Sequence, residues 1–341
     1  MKKILSLLII AVLFACSASR EASKERAENN SNTTNKTNNL PEEVIITSRP
    51  ILQMVSSEAI ESSMNYLASD ELEGRATGSE GIEKAAVFIE NYLKDAGIKP
   101  YFETYRDTFN LKDIVGYNIV GVVEGNDPAL RDEFIILGGH YDHIGFGKEV
   151  NGDKIANGAN DDASGTIAAM EFAKHFANTK TNKRSILVTL YAAEEMGLRG
   201  SSHLAKRLKE NDFNAYTMIN FEMIGVPRAN EHALAYMSGY ERSNFAENLN
   251  KYAGEEIIGF FPKAKEFNLF KRSDNYPFYN ELNIPAHAIS TFDFTNYDYY
   301  HHVDDEADKM DYDHMARFLN KMIPALEGMM NAPTKEVTLK K

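Results

Sequence analysis

The chain has 341 residues, 43% hydrophobic and 26% charged, with a formal charge of −13 and a pI near 5.2. An excess of 50 acids over 37 Lys and Arg excludes a phosphate-reading surface, which needs clustered cations, so no nucleic-acid partner is expected. One cysteine, Cys16, excludes a disulfide framework and leaves the fold to its core or to metal.

In chain order, Lys2-Lys3 and the apolar run "ILSLLIIAVLFA" read as a secretory signal, too short for a transmembrane helix. "LFAC" at 13–16 resembles a bacterial lipobox, with Phe14 bulkier than the residue usual there. Residues 1–15 are therefore expected to be a lipoprotein signal peptide and Cys16 the lipidated first residue. An ordinary cleaved signal is the alternative. The protein is expected to be exported by a bacterium and held to the outer membrane by this anchor only. Residues 16–40 are polar and lack aromatics, a flexible tether that cannot bury a core. The composition from Pro41 to 333 is that of a single packed domain, with no fixed-period repeat.

The apolar spacing of this domain predicts a helix from about Ser56 and another over 80–97, stopped by Gly97. Strands follow in "YNIVGVVEG" and "EFIILGG", then a helix in "SGTIAAMEFAKHFANT" with Ser164 as N-cap. "RSILVTLYAA" reads as a buried strand, "LRGSSHLAKRLKE" as a helix, and "AYTMINFEM" and "HALAYMS" as strands. The helix "RSNFAENLNKYAG", the segment "SDNYPFYNEL", the strand "IPAHAIS" and a long helix over 311–331 complete the series. Alternating strands and helices predict an α/β fold, a mostly parallel central sheet with helices on both faces. In such sheets the ligand lies beyond the carboxyl ends of the strands.

Those ends carry acids and histidines repeatedly. "EFIILGG" runs into His140-Tyr141-Asp142-His143, and the loop before the next helix holds Asp161-Asp162. "SILVTLYAA" ends in Glu194-Glu195, "YTMIN" in Phe221-Glu222, and a late loop holds His301-His302 with Asp304-Asp305. One Asp-Asp before a helix is ordinary capping, but so many acids on one edge repel unless cations neutralise them. Mixed imidazole and carboxylate donors suit zinc, and two ions sharing a carboxylate would use about five ligands.

With these motifs in view, the sequence resembles zinc aminopeptidases of peptidase family M28 from about residue 60 to 330. The likeness is carried by "LEGRATGSEGIEKAAVFIENYLKDAGIKPY", "GGHYDHIG", "GANDDASG", "AAEEMGLRGS", "NFEMIG", "RSDNYPF" and "YHHVDDEADKMD" in that order. It implies the zinc-exopeptidase, aminopeptidase-like fold and two zinc ions per chain. His140 and Glu222 match ligands of the first ion, and Asp161 the bridging carboxylate, with a cis peptide to Asp162. Glu195 and His301 match ligands of the second ion. Glu194 matches the general base, and Asp142 the acid that orients His140. His301 is taken rather than His302 because it follows a tyrosine and stands four residues before Asp305. His143, His302 and the histidines at 175, 203, 232, 287 and 314 are expected to be structural or solvated.

Three positions depart from the family pattern. Glu222 stands where Asp is general, Asn275 where His is frequent, and Phe270 where some members have an oxyanion-holding tyrosine. The function implied is hydrolysis of the N-terminal bond of peptides with a free N-terminus. Carboxypeptidase or dipeptidase action on the same site, a glutaminyl cyclase, and a non-catalytic binding lipoprotein are the alternatives. Oligomeric state and the preferred first residue are not legible.

Overall fold

The computed structural model describes residues 54–229 and 232–340. The signal segment, Cys16, the tether and the start of the expected domain at 41 lie outside the described residues. The first two helices begin where a serine can satisfy a free backbone amide. Ser56 accepts from the Ala59 amide at the head of α1 (Ser57–Leu67), and Ser79 from the Ile82 amide at the head of α2 (Glu80–Asp95). Then come the short β1 (Lys99–Pro100), β2 (Arg106–Leu111), β3 (Ile114–Val123) and β4 (Phe134–His140). A separate hairpin, β5 (Gly145–Val150) and β6 (Asp153–Ala156), precedes α3 (Ser164–Thr179) and β7 (Ser185–Tyr191). The rest of the chain forms α4 (Arg199–Glu210), β8 (Ala215–Glu222), β9 (Ala235–Met237), α5 (Phe245–Ala253), β10 (Ile258–Gly259) and α6 (Pro262–Glu266). It ends with α7 (Asn275–Leu282), β11 (Ala286–Ser290) and α8 (Tyr312–Asn331).

The sheet runs β1-β3-β7-β4-β8-β11-β9-β10, with β2 paired to β3. Its centre, β7-β4-β8-β11, is parallel as expected. Antiparallel pairs flank it, β3 against β7 and β9 against β11. The β2–β3 pair is antiparallel because only two residues join the strands, with Lys112 in the left-handed region at φ 51°. β2 carries a mixed sequence, "RDTFNL", with no clean apolar alternation, which is why it was not foreseen.

Side-chain alternation assigns the two faces. Val120, Ile136, Leu187 and Met218 pack with α4 and α7. Their neighbours Ile119, Ile135, Leu137, Val188 and Ile219 join the larger core with α1, α2, α3, α5 and α8. Truncating one such residue costs about 2–5 kcal/mol, a large share of a typical 5–15 kcal/mol stability, so register is strongly enforced.

One expectation is corrected. Ser164 is the first residue of α3 and not its cap. Its hydroxyl donates to the Asn160 carbonyl and accepts from the Ile224 amide, while Asp162 Oδ1 accepts from the Gly165 amide. Asp162 outcompetes the serine because α3 follows directly on the irregular turn Ala159–Ala163. Beyond 333, Val337 is buried and Leu339 pairs with Ser243. No helix among the described residues is long and apolar enough to cross a membrane.

His287, on β11, is buried and its two nitrogens face the Ser238 carbonyl and the Ser243 hydroxyl, each at 2.8 Å. A carbonyl only accepts, so Nδ1 donates, and Nε2 of the neutral ring takes the hydroxyl proton. Burial lowers its pKa from 6.5 to about 4. The folded value lies below the unfolded one, so this contribution is whole above pH 6.5 and is lost as pH falls towards 4. The loss is about 3 kcal/mol. Urea unfolding at pH 7 and pH 4 should show wild type losing that much more stability than His287→Gln. Equal losses would refute the assignment.

Candidate metal centre

The site lies at the carboxyl ends of the parallel strands. β4 ends at His140, which pairs in register with Tyr191, the last residue of β7, and β8 ends at Glu222 opposite Ser290 of β11. Asp161 sits in the turn before α3, and the loop after β11 returns His301 to the same place. His140 Nε2 lies 3.2 Å from Asp161 Oδ1 and 3.4 Å from Glu222 Oε1. His301 Nε2 lies 3.3 Å from Asp161 Oδ2 and 3.1 Å from Glu195 Oε2. The two oxygens of Asp161 thus face different donor sets, and all five expected ligands are brought together.

His143 is where the expectation fails. It is buried, with Nδ1 3.0 Å from Glu195 Oε1 and 3.8 Å from Asp161 Oδ2. Neither ring nitrogen has a hydrogen-bond partner, and neither do the buried Asp161 Oδ2 and Glu195 Oε1. Among the described residues, two groups have donor atoms within 4.8 Å of one another: His140, Asp161, Glu222 and His143, Asp161, Glu195. Orphaned buried nitrogens and oxygens in this arrangement fit metal ions of the zinc type, since such groups are costly when unpartnered. The signal for His143 was its place three residues after His140 in one short loop. His302 Nδ1 accepts from the Asp304 amide, His203 Nε2 stands 3.3 Å from Asp107, and His232 is exposed.

The cis peptide expected between Asp161 and Asp162 is present. Asp162 does not face the donors. It accepts from the amides of His140, Gly165 and Met223, fastening β4, α3 and β8 together. Gly165 permits this closeness, because a Cβ there would meet the Phe221 carbonyl oxygen at 2.1 Å. Asp305 takes the amides of Asn160 and Asp161 and the Tyr297 hydroxyl, holding the bridging residue's backbone.

Asp142 stands beside His140 as expected and has further partners on the chain. His140 Nδ1 is 3.1 Å from the Asp142 backbone carbonyl, and the carboxylate is farther, at 3.6 Å. The Asp142 carboxylate accepts from the Glu194 amide at 3.1 Å and the Thr77 hydroxyl at 3.2 Å. Thr77 accepts in turn from the Ala193 amide at 2.9 Å. Ala193 has φ 57°, so β7 breaks one residue before the glutamate pair.

Glu222 absorbs its extra methylene by using both oxygens. Oε1 faces His140, while Oε2 accepts from Ser273 at 2.6 Å and Asn220 at 3.3 Å. Asn275 donates to the carbonyls of Phe270 and Ala286 and is buried scaffold. Phe270 is core as well, packed under the Arg242 guanidinium. Tyr300 stacks on His301 with ring centroids 4.0 Å apart.

Electrostatics separates the adjacent glutamates. Burial raises the Glu194 carboxyl well above its usual range, with Asp274, Glu222 and Glu195 adding to the rise and His140 opposing it. Glu195 is also penalised by burial and by Asp161, but His143 and His301 bring it below its usual value. Asp161 is lowered in spite of burial because His140 and His301 flank it. His301 is raised to about 10 by the Asp161 and Glu195 oxygens. Two adjacent acids are thus set apart by their surroundings, as a proton carrier and a fixed anion are in general acid–base pairs.

Arg75, unassigned by sequence reasoning, is buried at φ 51° behind the cluster. Its guanidinium donates to the carbonyls of Leu67, Tyr141, Asn157 and Gly158, tying α1 to both donor loops. Burial lowers its pKa to about 10, against the pull of Asp305, Asp142, Asp161 and Asp162. Arg75→Met removes the guanidinium donors from four buried carbonyls and should cost at least about 3–5 kcal/mol in urea unfolding. Arg75→Lys, which keeps the charge but not the planar fork, should fall between. A Met variant within 1 kcal/mol of wild type would contradict this account.

Residues 118–326 match the model of Peptidase family M28. A "Probable zinc metalloprotease" of Pyrenophora teres f. teres is 30% identical over 197 residues, 53% of this chain and 41% of that protein. The chain thus spans less than half the length of that curated relative. Among solved structures, the LapA aminopeptidase of Legionella pneumophila superposes with TM-score 0.64 at 23% identity, covering 82% of this chain and 71% of that one. A glutaminyl cyclase of Fimbriiglobus ruber does so with TM-score 0.63 at 18% identity, covering 82% and 99%. These structures share the fold, and the family match spans well over half of the sequence: the chain belongs to peptidase family M28.

Proposed function

We propose that this chain is a co-catalytic two-zinc aminopeptidase that hydrolyses the N-terminal peptide bond of peptides with a free α-amine. The observation that carries the reading is the pair of donor sets sharing Asp161, one of them with His143, Glu195 and Asp161 atoms that are buried and have no hydrogen-bond partner. His140, Asp161 and Glu222 would hold one ion, and Asp161, Glu195 and His301 the other, with His143 a further nitrogen beside Glu195. When bound, zinc supplies Lewis-acid polarisation of the scissile carbonyl and acidifies water. Zinc and peptide hydrolysis are supported by the name of the Pyrenophora relative, whereas the Legionella and Fimbriiglobus structures support the fold alone.

The residues divide the work. Asp142 and Thr77 hold the backbone of 193–194, which fixes where the Glu194 carboxyl starts. Glu194 takes the proton of the attacking water and returns it to the leaving amine. Its environment suits that exchange, since surrounding acids raise its proton affinity and bound cations would lower it. The excess of carboxylates at the site draws in the substrate's ammonium group, which favours the amino end over the carboxyl end.

Glu194→Gln should lower turnover of a leucine 4-nitroanilide by roughly 10²–10⁴-fold while elemental analysis still finds two zinc ions per chain. Near-normal turnover would remove Glu194 from the base role. The same assay on N-acetylated and C-amidated peptides, and on a glutaminyl peptide scored for ring closure, separates aminopeptidase from carboxypeptidase and cyclase action.

The anchored location is likewise a proposal, resting on the segment before Cys16. Cys16→Ala should move the protein from the membrane fraction to the soluble one, and unchanged membrane retention would refute the anchor.

A further inference from the structure

A cavity opens beside the donor cluster, bordered by Glu222 and Tyr300. Its walls are mainly apolar, with Leu269, Phe292 and Phe294 among them. One cation, Arg272, also lines it. Arg272 is exposed, and among the described residues its guanidinium has no ion pair, hydrogen bond or ring contact. Other arginines of this acidic chain have found partners, as Arg106 with Glu83 and Glu90, Arg184 with Glu133, and Arg207 with Asp107.

Its backbone is held on both sides. The Arg272 amide donates to the Leu269 carbonyl, and the next residue, Ser273, donates to the ligand-bearing Glu222 at 2.6 Å. The guanidinium is thus tethered at the cavity while its five donors remain unspent. A group entering past Glu222 meets apolar walls first and then a charged fork.

We propose that this cavity receives the side chain of the substrate's first residue and that Arg272 selects one carrying a carboxylate on an aliphatic stem, glutamate above its neutral isostere glutamine. The inference rests on the aminopeptidase reading for the identity of that residue. The methylenes of such a side chain would lie against Leu269 and the phenylalanines, and the carboxylate would take up to two N–H donors, the geometry for which a guanidinium is shaped. Glutamine offers the same volume without the charge, so the comparison isolates Arg272.

The test uses the full-length, zinc-loaded protein. In wild type, kcat/KM for glutamyl 4-nitroanilide should exceed that for glutaminyl 4-nitroanilide about five- to tenfold, as for a partly exposed charge-assisted pair. Arg272→Met should bring the ratio to one or below, and Arg272→Lys should keep part of it. An unchanged ratio in Arg272→Met overturns the proposal. A second pair, Leu-Gly and Leu-Gly amide, reports whether Arg272 reads the α-carboxylate of a short peptide instead. A response there with none in the first pair overturns the side-chain assignment. Calorimetric titration with L-glutamate and L-glutamine separates the two layers of inference. If no nitroanilide is cleaved, the aminopeptidase reading fails, and Arg272 is judged on binding alone. Preference for glutamate that Arg272→Met abolishes sustains its role, whereas equal affinity or no binding of either amino acid overturns it.

Discussion

Asp161, Glu194, Glu195 and Glu222 crowd one edge of the sheet, and their mutual repulsion is the constraint to which the surrounding structure answers. Two like charges 4 Å apart repel by about 4 kcal/mol at an effective dielectric of 20, so a few such pairs rival the stability of a whole domain. The protein offsets part of this from within. His140 and His301 stand between the acids, and Arg75 sits behind them, fully buried and bonded to the carbonyls of both donor loops. Asp162 and Asp305 are kept out of the contest by backbone amides. What these devices do not cover is Asp161 Oδ2, Glu195 Oε1 and the His143 ring, whose atoms have no hydrogen-bond partner. Bound cations are the remaining way to compensate them.

The parallel centre of the sheet makes this crowding possible. Strands that run the same way bring all their carboxyl ends to one edge, so β4, β7, β8 and β11 deliver their following loops to a single place. The antiparallel strands at either side contribute none of the five expected ligands. The helices then seal the faces, and Gly165 lets the start of α3 approach β8 closely enough for Asp161 to reach donors from both neighbours.

Much of this was legible in the sequence, for identifiable reasons. The central strands are long apolar runs that end in acids or histidine, and such runs are hard to read otherwise. The five expected ligands stand in motifs whose order is informative, and the structure gathers them. What escaped was of two kinds. Short or mixed strands such as β1, β2 and the β5–β6 hairpin lack periodicity, because their pairing and not their pattern makes them strands. Residues acting through backbone contacts also escaped: Arg75 speaks to carbonyls, Thr77 to an amide, and Asp305 to two amides. No spacing rule reports which backbone group a side chain will find. His143 was missed for the opposite reason, since a histidine near a known one is easily discounted, although both share one loop. Asp142 stays beside the imidazole of His140 and also takes the amide of Glu194, a contact no spacing announced.

That second contact explains how two adjacent glutamates come to lie in different surroundings. On a continuing strand, neighbours point to opposite faces, and one of the pair would leave the site. Here β7 stops at Tyr191, Ala193 turns into the left-handed region, and Thr77 and Asp142 catch the next two amides. With the backbone held from outside, both carboxylates belong to the loop. Glu195 reaches the histidines that draw its pKa down, and Glu194 stays among acids that push its pKa up. The different surroundings of the two carboxylates, on which the proposed division between holding a cation and carrying a proton rests, are therefore set by the loop's fastening and not by the side chains, which are chemically identical. Thr77, more than a hundred residues away in sequence, belongs to that fastening as much as Asp142 does.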